Sequence, residues 1–266
     1  MEGANIALSG RDAGNSQIRE RKMEMMLERT VSENNKKVMV AMDVDSWEKA
    51  LALADQLQGS GCWLKVGMEL YNAAGAGIIR ELKEKGFPIF LDLKLHDIPN
   101  TVESAVRVLA GYGADMLTIH CSGGYDMMAR AVQVTHEVKE QRNAEERMKI
   151  IGITVLTSLD EGRLQKDLGV GRALQDQVVA LAELGQKAGI DGVVASAQES
   201  LILRQHLGPD FLVITPGIRP KGSETHDQAR TLTPKEALEA GSSYLVVGRP
   251  ITQAPNPRQA LEQLWD

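Results

Sequence analysis

The sequence predicts a single-domain (β/α)8 TIM barrel preceded by a flexible extension, and three observations carry that reading. From Lys37 onward, a short β-rich apolar run is followed by a stretch of helical periodicity, and the pair repeats eight times. Such alternation argues for parallel strands with helical crossovers. The chain has 266 residues, a size that α/β barrels reach as one unit. Finally, the first run is followed by Asp43-Val44-Asp45 and not by a glycine-rich phosphate loop. That disfavours the runner-up, a doubly wound open sheet.

The units follow in order. Val38–Asp43 leads into Ser46–Gln58, where Ser46 is an N-cap and Ala50, Leu51, Ala54 and Leu57 share one helical face. Trp63–Val66 leads into Gly75–Lys85, stopped by Gly86, and Ile89–Lys94 into Thr101–Ala110, stopped by Gly111. Met116–His120 precedes Gly124–Glu140, and Ile150–Leu156 precedes Leu174–Ala188, stopped by Gly189. The last three pairs are Gly192–Ala195 with Gln198–His206, Leu212–Thr215 with Pro234–Ala240, and Tyr244–Val247 with Pro257–Leu264. Met127, Met128, Leu201 and Leu203 read as core.

Composition bounds the function. With 43% apolar and 25% charged residues the chain is an ordinary globular one, not a disordered one. Residues 1–36 carry balanced charge and no aromatic side chain, so they read as a flexible extension, a start ahead of Met23 or added sequence. The net charge of −6 therefore belongs to residues 37–266, the barrel domain. A net-acidic surface disfavours nucleic-acid polymers and anionic lipid. No apolar run approaches the roughly 18 residues of a membrane span. Cys62 and Cys121 read as buried hydrophobes in a reducing cytoplasm, and no secretory signal is evident.

Barrels place chemistry at the C-terminal ends of their strands. Those ends carry Asp43, Lys65, Asp92 with Lys94, His120, Thr157, Ser196, Gly217 with Arg219, and Gly248 with Arg249. Charges inside apolar runs are costly unless paired. In Ile89-Phe90-Leu91-Asp92-Leu93-Lys94, alternation puts Asp92 and Lys94 on the face of Phe90. With Lys65 they make a Lys–Asp–Lys group at the barrel mouth; the alternative is an ion-pair network that only fixes strand register. Gly248-Arg249-Pro250 and Thr215-Pro216-Gly217-Ile218-Arg219 supply an anion site, and the long polar stretch to Arg230, with Gln228 in it, reads as a lid. Asp92, His96, Asp97 and His120 could cluster round a metal, but Lys65 and Lys94 satisfy the same carboxylates, so no metal is expected; His96 and His120 read as packing residues.

Asp92-Leu93-Lys94-Leu95-His96-Asp97-Ile98-Pro99-Asn100-Thr101 resembles the D-x-K-x-x-D signature of the orotidine 5′-phosphate decarboxylase family, in its monofunctional bacterial form. Val38–Asp43, Leu64-Lys65-Val66-Gly67, Thr154–Ser158, Thr215–Pro220 and Val247–Thr252 resemble that family in the same order. The resemblance implies decarboxylation of orotidine 5′-monophosphate to UMP and CO2, the last step of pyrimidine synthesis, without a cofactor. It implies that Lys94 stabilises and protonates C6, that Asp92 holds Lys94, and that Lys65 and Asp43 contact ribose. Thr157 and Ser158 would approach ribose and base, beside Pro216, while Gly248, Arg249 and Gln228 grip phosphate and Arg219 stands at the lid. Asp97, Ile98 and Thr101 belong to the same implied site, with Asp97 and Thr101 reaching into the neighbouring subunit of a homodimer. Two rivals remain: a metal-dependent sugar-phosphate lyase or decarboxylase of the same superfamily, which has an acid where Lys65 stands, and a non-catalytic nucleotide-binding module, which has no use for Lys94.

Overall fold

The computed structural model describes Met26, residues 29–220 and residues 232–265. Eight parallel strands close into a barrel in sequence order: β1 (Val38–Ala41), β2 (Trp63–Gly67), β3 (Ile89–Leu95), β4 (Met116–His120), β5 (Lys149–Ile153), β6 (Gly192–Val194), β7 (Leu212–Pro216) and β8 (Tyr244–Val247). The ring closes where β1 pairs with β8, Val40 opposite Val247.

Alternation sorts the strand residues into two cores. Met39, Ala41, Phe90, Met116, Ile151, Ile214 and Val246 fill the barrel interior. Their neighbours Val38, Val40, Ile89, Leu91, Leu117, Ile119, Leu245 and Val247 point outward into the layer beneath the helices. With both faces buried, each strand is a nearly continuous apolar run, which is why a polar residue within one is informative.

The surrounding helices are α1 (Trp47–Leu57), α2 (Met68–Ala74), α3 (Gly77–Glu84), α4 (Pro99–Gly111), α5 (Tyr125–Arg142), α6 (Glu161–Leu168), α7 (Leu174–Lys187), α8 (Ala197–Leu207), α9 (Pro234–Glu239), α10 (Arg249–Thr252) and α11 (Pro257–Glu262). The Ser46 hydroxyl caps α1 by accepting from the Lys49 N–H at 3.3 Å. The buried stripe of α1 is Ala50, Leu53, Ala54 and Leu57, so Leu53 takes the place expected for Leu51. The expected helix Gly75–Lys85 is α3, shortened to Gly77–Glu84, and an unexpected helix, α2, precedes it and ends at Gly75, whose φ of +72° suits a residue without a Cβ. The first strand stops at Ala41 and the fifth at Ile153, short of Asp43 and Leu156. Met127, Met128 and Leu203 are buried as expected, but Leu201 is 58% exposed, since α8 turns only one face to the barrel.

Residues 29–35 are helical, and buried Asn35 accepts a 2.9 Å hydrogen bond from the Trp265 indole N–H. Packing thus reaches residues ahead of Lys37. Both cysteines are buried and unpaired; burial pushes the Cys62 thiol up to about 11 and the Cys121 thiol up to about 12. Among the described residues, no helix is long and apolar enough to cross a membrane.

Candidate active site

The C-terminal ends of the strands surround a cavity of about 320 Å³. Its floor is apolar, formed by the inward residues Ala41, Phe90, Ile153, Val194 and Val246. One wall is charged and comes from β1–β3. Lys65, inward on β2 and 8% exposed, points its Nζ 3.2 Å from Asp43 Oδ1 and 3.8 Å from Asp92 Oδ2. Lys94 Nζ donates to Asp92 Oδ1 at 2.7 Å. The result is an alternating row, Asp43–Lys65–Asp92–Lys94, in which every charge borders its opposite. That order is what lets four ionised groups stand at the mouth of an apolar barrel. Gly67 leaves room for it: a Cβ there would sit 3.1 Å from Lys65 Nζ and 3.4 Å from Asp43 Oδ1.

Asp92 and Lys94 meet in the cavity as the sequence implies, but not by regular alternation. Between Leu91↔Leu117 and Leu95↔Ile119, β3 advances four residues against two on β4, so Asp92, Leu93 and Lys94 bulge out of the ladder. Lys94 takes a φ of +53°, a left-handed conformation uncommon for a residue with a side chain. Facing the bulge is Thr118, fully buried on β4. Its hydroxyl accepts from the Lys94 backbone N–H at 2.8 Å and donates to Asp92 Oδ1 at 3.1 Å. Sequence reasoning missed Thr118. The available signal was a hydroxyl in the apolar run Met116–His120, two residues from inward Met116, hence on the inward face.

The opposite wall is cationic. Pro216 ends β7 with Gly217 and Arg219 beyond it, and Gly248 and Arg249 follow β8, with Arg249 opening α10. Val155, Leu156 and Thr157 complete the lining after β5. The Arg219 N–H donates to the Leu232 carbonyl at 3.1 Å, tying together the two ends of the expected lid. The polar stretch of that lid up to Arg230, with Gln228 in it, lies outside the described residues.

Four expected residues stand apart from this cavity. Ser158 is exposed, and its carbonyl accepts from Arg163 at 3.4 Å. Asp97, Ile98 and Thr101 are exposed at the start of α4, where Asp97 Oδ1 accepts the Ile98 N–H at 2.6 Å. Ser196, at the end of β6, caps α8 in a capping box with Glu199. The rings of His96 and His120 pack 5.1 Å apart. Burial, then the neighbouring His96 and Lys94, hold His120 below the usual histidine range. Among the described residues, no three His, Cys, Asp or Glu side chains come together in a metal-holding group.

The cavity therefore offers an ammonium–carboxylate row on one side, guanidinium groups on the other and an apolar floor between. It suits a flat, partly apolar molecule with an anionic tail.

A model of the orotidine 5′-phosphate decarboxylase / HUMPS family matches residues 36–264. An orotidine 5′-phosphate decarboxylase of Vibrio cholerae is 48% identical over 231 residues, covering 87% of this chain and 97% of the relative. One from Pseudoalteromonas translucida is 48% identical over 225 residues, covering 85% and 94%. Among solved structures, the orotidine 5′-phosphate decarboxylase of Lactobacillus acidophilus superposes with a TM-score of 0.76 at 37% identity, covering 86% of this chain and 96% of that one. The Pyrococcus horikoshii enzyme superposes with a TM-score of 0.67 at 29% identity, covering 86% and 97%.

Proposed function

Because the chain belongs to the orotidine 5′-phosphate decarboxylase / HUMPS family, we infer that it converts orotidine 5′-monophosphate to UMP and CO2, as a carboxy-lyase of pyrimidine synthesis. The observation that carries this reading is the row Asp43–Lys65–Asp92–Lys94 beside an apolar floor, with Arg219 and Arg249 across the cavity.

The chemistry asks for such a row. Breaking the C6–carboxylate bond leaves the electron pair in the plane of the pyrimidine ring, where the π system cannot spread it. A fixed cation at C6 stabilises that charge and then supplies the proton. Lys94 takes this role: its ammonium protonates C6 as CO2 leaves and is reprotonated from solvent. Asp92 holds Lys94, and Lys65 holds Asp92 while contacting ribose with Asp43. Thr157 approaches ribose and base, beside Pro216. Gly248, Arg249 and Gln228 bind the phosphate, and Arg219 stands at the lid. Phosphate binding, remote from C6, then contributes to the chemical step.

Asp97, Ile98 and Thr101 lie exposed on the rim, outside their own chain's cavity. This supports a homodimer in which Asp97 and Thr101 complete the neighbouring subunit's site. Two buried, unpaired thiols are in keeping with a reducing cytoplasm. The Lys65 ammonium between two carboxylates favours this reaction over a metal-dependent sugar-phosphate lyase, which places an acid at that position.

The test is the absorbance change of orotidine 5′-monophosphate on mixing. Turnover is expected to be unchanged by EDTA, and Lys94→Ala is expected to lose more than the ~10²–10⁴ of ordinary acid catalysis while still binding UMP. Near-normal kcat in that variant, or loss of activity with chelator, would overturn the assignment.

A further inference from the structure

We propose that Thr118 is a positioning residue for this reaction: its one hydroxyl fixes both the backbone and the carboxylate that aim the Lys94 ammonium. The inference rests on the decarboxylation assigned above.

The directions of both bonds follow from chemistry. An amide N–H only donates and an ionised carboxylate only accepts, so the Thr118 oxygen accepts from Lys94 N at 2.8 Å and its proton goes to Asp92 Oδ1 at 3.1 Å. That same Oδ1 receives the Lys94 ammonium at 2.7 Å. Lys94 is thus held at both ends through Thr118, directly at its backbone and through Asp92 at its tip.

The geometry explains why this bulge needs a side-chain partner. Where β3 advances four residues against two on β4, the regular ladder is lost, and the Lys94 N–H bonds the Thr118 hydroxyl. The left-handed φ of Lys94 is unfavourable for a lysine and persists only where surrounding contacts fix it. Thr118 is fully buried, so water does not compete for either bond. A Val at this position would fill the space and leave the bulge without its tie.

The test separates hydroxyl from shape. Thr118→Val keeps the branched volume and removes both bonds, and Thr118→Ala removes them without demanding space. Both are expected to lower kcat by about 10- to 100-fold, because small displacements of a reacting group have effects of that size. KM for orotidine 5′-monophosphate and Kd for UMP should stay within about threefold, since Thr118 does not line the cavity. Thr118→Ser restores the hydroxyl and should return kcat to within about threefold of wild type. The role of Thr118 is overturned if the valine and alanine variants turn over at wild-type rate, if serine fails to rescue, or if the loss falls on KM. Absence of turnover in the wild-type chain would instead overturn the assigned reaction, and the positioning role with it.

Discussion

At the end of β4, the half-buried His120 ring packs against the His96 ring and feels the charges of Lys94 and Asp92, and its basicity is set by those surroundings. Burial lowers its pKa from the ordinary 6.5, and His96 and Lys94 lower it further, in that order. The folded chain then holds this proton less tightly than the unfolded chain does. As pH falls through about 6.5 the unfolded state gains protons first, so stability is present above that pH and is lost below it, until the folded-state value is passed. Thermal unfolding followed from about pH 7 to pH 5 should show a smaller fall in Tm for His120→Gln than for wild type. Equal slopes would mean that His120 titrates alike in both states. At this scale Lys65, Asp92 and Lys94 were legible because an ionised group inside an apolar run has to find a partner. Thr118 was not, since a β-branched residue in a strand is unremarkable in itself. The left-handed turn at Lys94 leaves no local mark in sequence either, as no glycine or asparagine announces it.

Among the elements, a recurring device ties strands together at the face opposite the site. Asp115, Asp191 and Ser243 each stand immediately before an even-numbered strand and accept a backbone N–H from the preceding odd one. The donors are Ile89 at 2.6 Å, Ile150 at 2.8 Å and Val213 at 3.1 Å. Each acceptor also receives a cation, respectively Lys83 at 2.8 Å, Arg147 at 2.7 Å and Arg204 at 2.6 Å. Asp191→Ala strips both bonds from a mostly buried position and should reduce the urea-unfolding free energy by about 2–3 kcal/mol. Per folded molecule, kcat should be unchanged, because Asp191 precedes β6 whereas the cavity lies beyond the strand's other end. A variant as stable as wild type would show that water replaces the lost acceptor. Elements with a buried face were well marked in the sequence, and β4 and β8 were bounded to the residue. Helix α6 was not anticipated: Leu164 is its buried residue, so it carries little apolar periodicity, and its start is fixed instead by Asp160 accepting the Arg163 N–H at 2.8 Å. Helix α2 was hidden for a different reason, since it begins directly after the last residue of β2 with no intervening loop.

For the whole molecule, the proposed dimer is in keeping with what a single chain leaves on its rim. Asp97 and Thr101 are exposed there, and Ile98 of the same turn is 65% exposed, which is unusual for a side chain of that size. If Asp97 serves the neighbour's site, Lys94→Ala and Asp97→Ala are each inactive alone, but a mixed dimer contains one site with both residues intact. Mixing the two variants should then recover about a quarter of wild-type activity at free subunit exchange in a twofold dimer. No recovery would place Asp97 in its own chain's site or outside catalysis. This arrangement could not be drawn from periodicity, which describes how one chain buries its own apolar faces. It entered only through likeness to a family, and so did the ribose and phosphate contacts.

The seam between β8 and β1 has a consequence for the time course of folding. Asn35 and Trp265 are 230 positions apart along the chain, yet share a 2.9 Å hydrogen bond beside the strand pair that closes the ring. Every other strand pairs with its neighbour in sequence, across a far shorter loop. Loop-closure entropy rises with the length enclosed, so this junction is the most demanding one for an unfolded chain to make. Seven junctions can zip locally, while the eighth waits for both flanks to be in place. Which junction comes last is thus decided by where the chain happens to be cut, not by the barrel's own geometry.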